Sequence, residues 1–442
     1  MNKFTRRDFV KSAALAAAGL SLQNPILEAA AKKAKQAVAP GVTSANEKVV
    51  VVINLFGGND GCNTVVPIAP ANLYNQYLAL RPLNGLGFDL SEVLPLNGVT
   101  NYALRPNMQD FQTLYNSGNL AIINGVGVPL NALRKYDHDA QQNTFQSCNT
   151  GSGGLQIPTG WMGRYCDAAP LGAIPPGIDL GGGRLMVSGQ VRQPVSIYTL
   201  NDFKLQISAS EPEKTQRRNA YTSIMSTPVP EGGVGEQSRL YRVQAMAQSD
   251  AIFAAIATYP TPAAGQPGSP YKNTWLARQL QEAAKLVYGN IGAQCIALGI
   301  GGFDTHSDQE GLVGNPPIGW HGYLMNRVAE SVKAMFDDLT NLGLADRVMI
   351  LTISEFGRTP WENIDGGTDH GIASSAFVVG TTANLNGGIY GIYPDLFNFG
   401  NEDGFITTID FRSVYSTIVA NFLNADPVPV CGGNFPLLGF CT

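Results

Sequence analysis

The sequence predicts an α/β protein with a mostly parallel central sheet sandwiched between helices. Two observations point to this class. Continuous β-branched and aliphatic runs, such as residues 48–56, are typical of strands buried on both faces of a parallel sheet. These runs alternate with segments of helical periodicity, as in successive βαβ units. The chain has 442 residues, of which 44% are hydrophobic, so it can build a large core.

The elements follow from these runs in chain order. Five aliphatic runs are expected to form the sheet: residues 48–56, 120–126, 293–300, 347–353 and 376–379. Helices are expected at residues 108–117, 237–256, 273–288 and 321–341. Residues 203–270 combine proline-containing loops with a helical stretch, so we interpret them as a helical insertion or cap. The sequence thus predicts one domain, residues 48–442, carrying this insertion.

The first residues have the pattern of an export signal. Arg6 and Arg7 are followed by a short apolar run at residues 13–22 and by alanines at residues 29–31. This order is typical of a twin-arginine signal peptide, which here would cover residues 1–31, with a linker at 32–47. We therefore expect passage through the twin-arginine translocon to the periplasm or the exterior. The apolar run is shorter than the about 20 residues of a stable membrane span. A basic N-terminal helix of a cytoplasmic protein is the alternative.

The net charge narrows the classes of binding partner, and the cysteine content narrows the cellular compartment. The net charge of −5 argues against nucleic acid as the main partner, because phosphate binding needs a basic surface. Six cysteines fit an exported protein. Cys431 and Cys441 close a small loop and are the expected disulfide, with Cys148 and Cys166 as a second pair. Other pairings stay open.

Acidic and imidazole side chains gather where the expected strands end. Ligands bind outside the carboxyl ends of strands in open α/β sheets. Carboxylate and imidazole groups together are suited to a divalent cation such as Zn, Mn, Ca or Mg, which would polarise an ester oxygen. The sequence therefore predicts a metal site whose candidate ligands are Asp60, Asp304, His306, Glu355 and His370. The alternative is that each acid is only a helix cap or turn residue.

Two further residues are candidates for catalysis. His138 lies in the segment Tyr136-Asp137-His138-Asp139 and would act as an acid or a base. Arg358 follows the fourth strand, and its guanidinium would pair with the oxygens of an anionic substrate. A structural salt bridge is the other role left open for Arg358.

Four blocks of sequence carry a resemblance to a known family. The blocks are residues 55–67, 301–309, 354–359 and 366–371. They resemble a bacterial family of exported proteins of unknown function, domain of unknown function 1501, which is grouped with the alkaline phosphatase and sulfatase superfamily. The resemblance extends over residues 48–424 and implies an alkaline phosphatase-like fold.

The resemblance also implies roles for single residues. Asp60 matches the metal aspartate after the first strand, Asp304 with His306 or Asp308 resembles the Asp/His pair of a middle strand, and His370 resembles the last metal histidine. Phe356 stands where phosphatases have a ligating histidine, so the second cation site is depleted. No serine nucleophile follows the segment 125–127. A metal-activated water, or loss of catalysis, is therefore expected instead of a covalent mechanism.

Two functions follow as hypotheses. The first is an exported metal-dependent hydrolase of phosphate or sulfate esters, acting on a small anionic ester or an envelope polysaccharide. The second is a non-catalytic envelope binding or assembly protein that keeps a sulfatase-like fold. A phosphoglycerate mutase-like transferase is a third and weaker hypothesis, because export removes the protein from the cytoplasm.

Overall fold

The computed structural model describes residues 47–442 except 152–157, 171, 204–206, 208–209, 229–232, 312–318 and 400–403. The expected signal peptide, and all of the expected linker except Glu47, lie outside the described residues. No helix in the part of the chain that is described is long and apolar enough to cross a bilayer.

A central sheet organises the described residues. The strands are β1 Val49–Leu55, β2 Val65–Pro67, β3 Leu94–Pro95, β4 Tyr102–Leu104, β5 Leu120–Gly127, β6 Gly177–Asp179, β7 Val195–Ser196, β8 Cys295–Ile300, β9 Val348–Ile353, β10 Ser374–Val379, β11 Gly388–Tyr390 and β12 Ile409–Asp410. Nine of them form the central sheet in the order β11-β5-β10-β9-β1-β8-β6-β7, with β12 pairing beside β5, and β2, β4 and β3 form a smaller antiparallel sheet.

Helices cover both faces of the large sheet. The described helices are α1 Gly61–Thr64, α2 Ala71–Leu80, α3 Gln109–Asn116, α4 His138–Ser147, α5 Trp161–Ala168, α6 Arg184–Val187, α7 Glu213–Ser226, α8 Gly233–Ile256, α9 Trp275–Gly289, α10 Trp320–Asn341, α11 Phe411–Thr417 and α12 Pro427–Cys431. The predicted insertion at residues 203–270 contains α7 and α8.

Strand β1 is the centre of the core, and every one of its residues is buried. Val49, Val51 and Ile53 point to one face and join an apolar cluster with α9 and α10. Val50 and Val52 point to the other face and join a second cluster with α5 and α11. This alternation is why the run has no polar face, as expected of a strand between two helical layers. The predicted fold class, α/β with a mostly parallel sheet between helices, is confirmed.

The directions of the strands determine which connecting segments lie together at one edge of the sheet. β1 is parallel to both β8 and β9, whereas β10 lies antiparallel between β9 and β5. The segments that follow β1, β5, β8 and β9, and the segment that precedes β10, therefore leave the sheet at the same edge. We call this the carboxyl edge. The direction of β10 is not visible in its sequence, because a buried strand of either direction is uniformly apolar.

The cysteine pairing expected from the sequence is wrong. All six cysteines are buried free thiols in the structure. The thiol of Cys148 lies beside that of Cys431, and the thiol of Cys166 lies beside that of Cys295. Tertiary packing, rather than nearness along the chain, decides which thiols meet, since Cys148 ends α4 while Cys431 ends α12.

Asp338 on α10 binds the segment between α8 and α9 through hydrogen bonds. Its carboxylate is buried and accepts hydrogen bonds from the hydroxyls of Tyr259, Thr261 (2.5 Å) and Tyr271 (2.8 Å). Three donors on one buried acceptor satisfy groups that would otherwise be costly to bury.

We expect Asp338→Ala to lower the free energy of unfolding by about 3 kcal/mol, because it leaves three hydroxyls without their charged acceptor. Chemical denaturation followed by circular dichroism measures this loss. The matched control is Asp337→Ala, which removes a half-exposed pair with Lys333 and should cost under about 1 kcal/mol. Equal losses in the two variants would contradict this role for Asp338.

Candidate metal centre

Four predicted site residues meet at the carboxyl edge. One ligand atom from each of His138, Asp304 and His370 lies within 4.8 Å of the others. His306 joins them, with its Nε2 3.0 Å from Asp304 Oδ1 and 3.1 Å from His370 Nε2. The histidines come from α4, from the loop after β8 and from the segment before β10. The edge geometry of the sheet thus assembles residues that are far apart in sequence.

The spacing of these atoms suits a shared cation. His370 Nε2 is 3.1 Å from the same Asp304 oxygen, so three ligand atoms form a triangle with sides of 3.0 to 3.1 Å. Ligands held at about 2.1 Å from one ion lie roughly 3 to 3.5 Å from each other. His138 Nε2 faces the second oxygen of Asp304 at 3.5 Å.

The other ring nitrogen of each histidine also has an acceptor beside it. Nδ1 of His370 donates to the backbone carbonyl of Tyr136 at 2.8 Å, and a carbonyl can only accept. Nδ1 of His306 donates to the carboxylate of Asp369 at 2.8 Å. Asp304 also only accepts, so each ring lies between two acceptors, and a neutral ring that keeps its single proton on Nδ1 presents the lone pair of Nε2 to Asp304. Such acceptors repel one another unless a cation lies between them.

Glu355 is the acceptor beside Nδ1 of His138. Its Oε1 accepts from His138 Nδ1 at 3.0 Å, from the amide of Gly57 at 2.8 Å and from Gln142 at 3.3 Å. The hydrogen bond to Glu355 raises the pKa of His138, although partial burial opposes this. The second oxygen of Glu355 is buried without a hydrogen-bond partner in the described chain. It therefore remains available to a water molecule or a cation.

Arg358 keeps Asp304 ionised. Of the two roles left open for this arginine, the structure has the salt bridge, with 2.5 Å between its guanidinium and Asp304 Oδ1. Partial burial would raise the pKa of Asp304, but the hydrogen bond and charge of Arg358 outweigh it and lower the pKa to about 2. The arginine side chain is 0% exposed and also donates to backbone carbonyls, so no face of it is open to a substrate.

Apolar and backbone contacts complete the floor of the site. The ring of Phe356 packs against those of His138 and His370, with centroids 4.8 and 4.7 Å apart. Gly57 has a φ of +118°, and a Cβ at this position would lie 2.2 Å from the amide of Asp304. Only glycine allows the β1 and β8 loops to approach this closely.

Asp60 lies apart from this cluster, in a fully buried polar network. It caps α1 by accepting from the amides of Cys62 and Asn63, which is the capping role left open by the sequence. Its Oδ2 is 2.5 Å from Arg81 and 2.5 Å from Gln309. Burial would raise the pKa of Asp60, but Arg81 holds it below its usual value. Both carboxylate oxygens are thus already engaged by the protein.

The fourth histidine, His321, also belongs to this network. It is fully buried between Arg105, Glu310 and Asn59. Burial lowers the pKa of His321 and keeps the ring neutral.

Sequence reasoning missed Asp369, which orients His306. Its place directly before His370 in a glycine-rich block was the available signal.

Solved structures that resemble this chain are sulfatases and members of the alkaline phosphatase superfamily. The PsFucS1 sulfatase of a Pseudoalteromonas species is 11% identical, and the match covers 93% of this chain and 72% of that one with a TM-score of 0.35. An alkaline phosphatase superfamily protein of Vibrio parahaemolyticus is 8% identical over 93% and 78%, with a TM-score of 0.37. The lipoteichoic acid synthase LtaP of Listeria monocytogenes is 7% identical over 91% and 80%, with a TM-score of 0.32. Likeness this distant transfers no activity.

The sequence of the chain matches the model of one protein family. The model of the family described as protein of unknown function (DUF1501) matches residues 137–410, which is more than half of the chain. The chain therefore belongs to this family, and the family resemblance is confirmed. Three of the four sequence blocks, residues 301–309, 354–359 and 366–371, lie within the match, and residues 55–67 lie before it. No curated protein matches the chain in sequence.

We expect Asp60→Asn to lower the free energy of unfolding by about 3 kcal/mol, because it leaves the buried Arg81 without its counter-charge. Bound metal, measured by elemental analysis, should not change. Asp250→Asn, which breaks an exposed pair with Arg218, is the control and should be nearly neutral. Metal lost without any loss of stability would make Asp60 a ligand after all.

Proposed function

We propose that the protein is an exported, metal-dependent hydrolase of phosphate or sulfate esters, with Asp304, His306 and His370 as the primary ligands of one divalent cation. One observation carries the proposal. Two imidazole nitrogens and an ionised carboxylate oxygen lie 3.0 to 3.1 Å from one another, and the other nitrogen of each ring faces an acceptor. Metal-binding histidines in proteins have this arrangement of outer hydrogen bonds.

The donor set also favours certain ions. Imidazole nitrogens suit zinc and other transition metals, whereas calcium and magnesium prefer oxygen ligands alone. We therefore favour zinc or manganese over calcium or magnesium. When bound, such an ion supplies positive charge that polarises an anionic ester and makes a nearby water more acidic.

His138 is proposed as the residue that moves protons. Its Nδ1 is held by Glu355, so Nε2 is the atom that takes up or releases a proton on the side facing Asp304. The hydrogen bond to Glu355 raises the pKa of His138, which favours the protonated ring that a general acid needs. Its side chain is 32% exposed, so a substrate can reach it.

Water is the proposed nucleophile. Within the described chain, the side-chain partners of the four site residues are carboxylates, imidazoles and a guanidinium, and none is a serine or threonine hydroxyl. Hydrolysis would then proceed by direct attack of water rather than through a covalent enzyme intermediate. The arginine pair at residues 6–7 supports action in the periplasm or outside the cell.

A second function is supported by Phe356. An apolar ring occupies the position where the resemblance implies a metal-ligating histidine, and it packs under His138 and His370. This favours a single cation, and a single cation without a hydroxyl nucleophile also fits an envelope binding or assembly protein. Turnover separates the two functions.

We expect the purified protein to bind one zinc or manganese ion per chain by elemental analysis and calorimetry. His370→Ala and Asp304→Ala should weaken binding at least about 100-fold, since even residues that only orient ligands contribute roughly 10–100-fold. Asp308→Ala removes an exposed carboxylate from the same loop and is the matched control. Unchanged affinity in both ligand variants would contradict the proposed site.

We expect the metal-loaded protein to hydrolyse aryl phosphates or aryl sulfates, and His138→Ala to lower kcat by about 100-fold or more with metal retained. If His138 donates a proton, activity should be present below its pKa, which the hydrogen bond to Glu355 raises above the usual value of a histidine, and should be lost as pH rises through that pKa. Bound metal without turnover of either ester would favour the binding function instead.

A further inference from the structure

Exposed aromatic side chains surround one stretch of the carboxyl edge. Trp275 is the first residue of α9 and Trp320 the first of α10, and they are 48% and 53% exposed. Each has an aromatic neighbour. Tyr198 lies 6.0 Å from Trp275 between ring centroids, and Tyr323 stacks on Trp320 at 5.5 Å. Large exposed aromatic clusters on soluble proteins mark interaction sites.

Glycine backbone and one phenylalanine connect the two pairs. A Cβ on Gly181 would lie 3.1 Å from Tyr198, and one on Gly182 would lie 2.8 Å from the ring of Phe56. On the other side, the indole of Trp320 donates to the carbonyl of Gly302 at 2.8 Å. We call this strip, from Trp275 across Gly182 and Gly301 to Trp320, the aromatic trough.

The floor of the trough is open and lies beside the candidate metal centre. Gly301 and Gly302 are exposed, and a Cβ on Gly301 would meet nothing within 4 Å. Asp304 follows two residues later in the same loop. A ligand lying in the trough would therefore reach the cluster of Asp304, His306 and His370 with one end.

We propose that the aromatic trough binds a saccharide chain, which rests on the proposed function by placing an ester on that chain at the metal centre. A pyranose ring has a flat C–H face that stacks on an indole or phenol, and hydroxyls at its rim that hydrogen-bond to backbone. The trough offers both, as ring faces at its two ends and exposed glycine peptide groups between them. A lipid or an apolar helix would need one continuous apolar groove, which the glycine floor interrupts.

The test uses the mature protein and an array of neutral, phosphorylated and sulfated oligosaccharides, followed by tryptophan fluorescence titration with the strongest binder. We expect binding, and we expect the double variant Tyr198→Ala with Trp275→Ala to raise Kd by about tenfold or more. Phe397→Ala removes another exposed aromatic, far along the chain, and should leave Kd unchanged. No binding to any oligosaccharide, or equal Kd in the double variant, would overturn the proposal.

A second variant tests the trough with a substitution that should not disturb folding. Gly301→Phe adds a side chain into open space, so it should fold normally by thermal melting and yet obstruct the trough, with Kd raised about tenfold or more. An unchanged Kd in a folded Gly301→Phe variant would also overturn the proposal.

Asp304→Ala separates this proposal from the hydrolase. Loss of the ligand carboxylate should abolish metal binding and leave the binding of neutral oligosaccharides within about twofold of wild type. Ester hydrolysis without saccharide binding would reject the trough alone. Saccharide binding without hydrolysis would reject the hydrolase alone.

Discussion

A single buried guanidinium holds the candidate site together. Arg358 donates to the carbonyls of Gly57, Gly58, Phe303 and Thr368 and to the carboxylate of Asp304. These acceptors belong to the loop after β1, the loop after β8 and the segment before β10, so one side chain satisfies buried backbone from three directions. Burial lowers the pKa of Arg358, but Asp304 opposes the shift. Removing it would leave several buried carbonyls and a carboxylate without compensation, which is among the costliest changes in a protein interior.

Beneath this arginine lies a second polar layer that water does not reach. Gln309 joins the two layers, because it donates to Asp60 and accepts from the hydroxyls of Thr305 and Thr368. Each of these threonines stands one residue before a member of the solvent-facing cluster, His306 or Asp369. The inner ion pairs thus set the positions of the outer imidazoles. Side chains held by packed neighbours in this way need little rearrangement to receive a ligand.

Much of this arrangement could be predicted from the sequence, and the failures have physical causes. Aliphatic runs located the central strands, and the rule that ligands gather at strand ends located Asp304, His306 and His370. Asp60 obeys the same rule, yet Arg81 engages it from the far end of α2, and no local pattern shows such a pairing. The cysteines are a similar case, since their neighbours come from packing between distant helices and strands. The periodicity of the sequence indicates which residues are buried. Which buried side chains contact one another depends on the tertiary structure.

Helix α4 links the chain terminus to the site. It is ten residues long, so its two ends are about 15 Å apart. His138 begins the helix, and Cys148, next to it at the opposite end, touches Cys431 near the end of the chain. Cys431 therefore packs against the end of the helix whose first residue is His138. The placement of a solvent-facing imidazole thus depends in part on a buried thiol pair about 15 Å away.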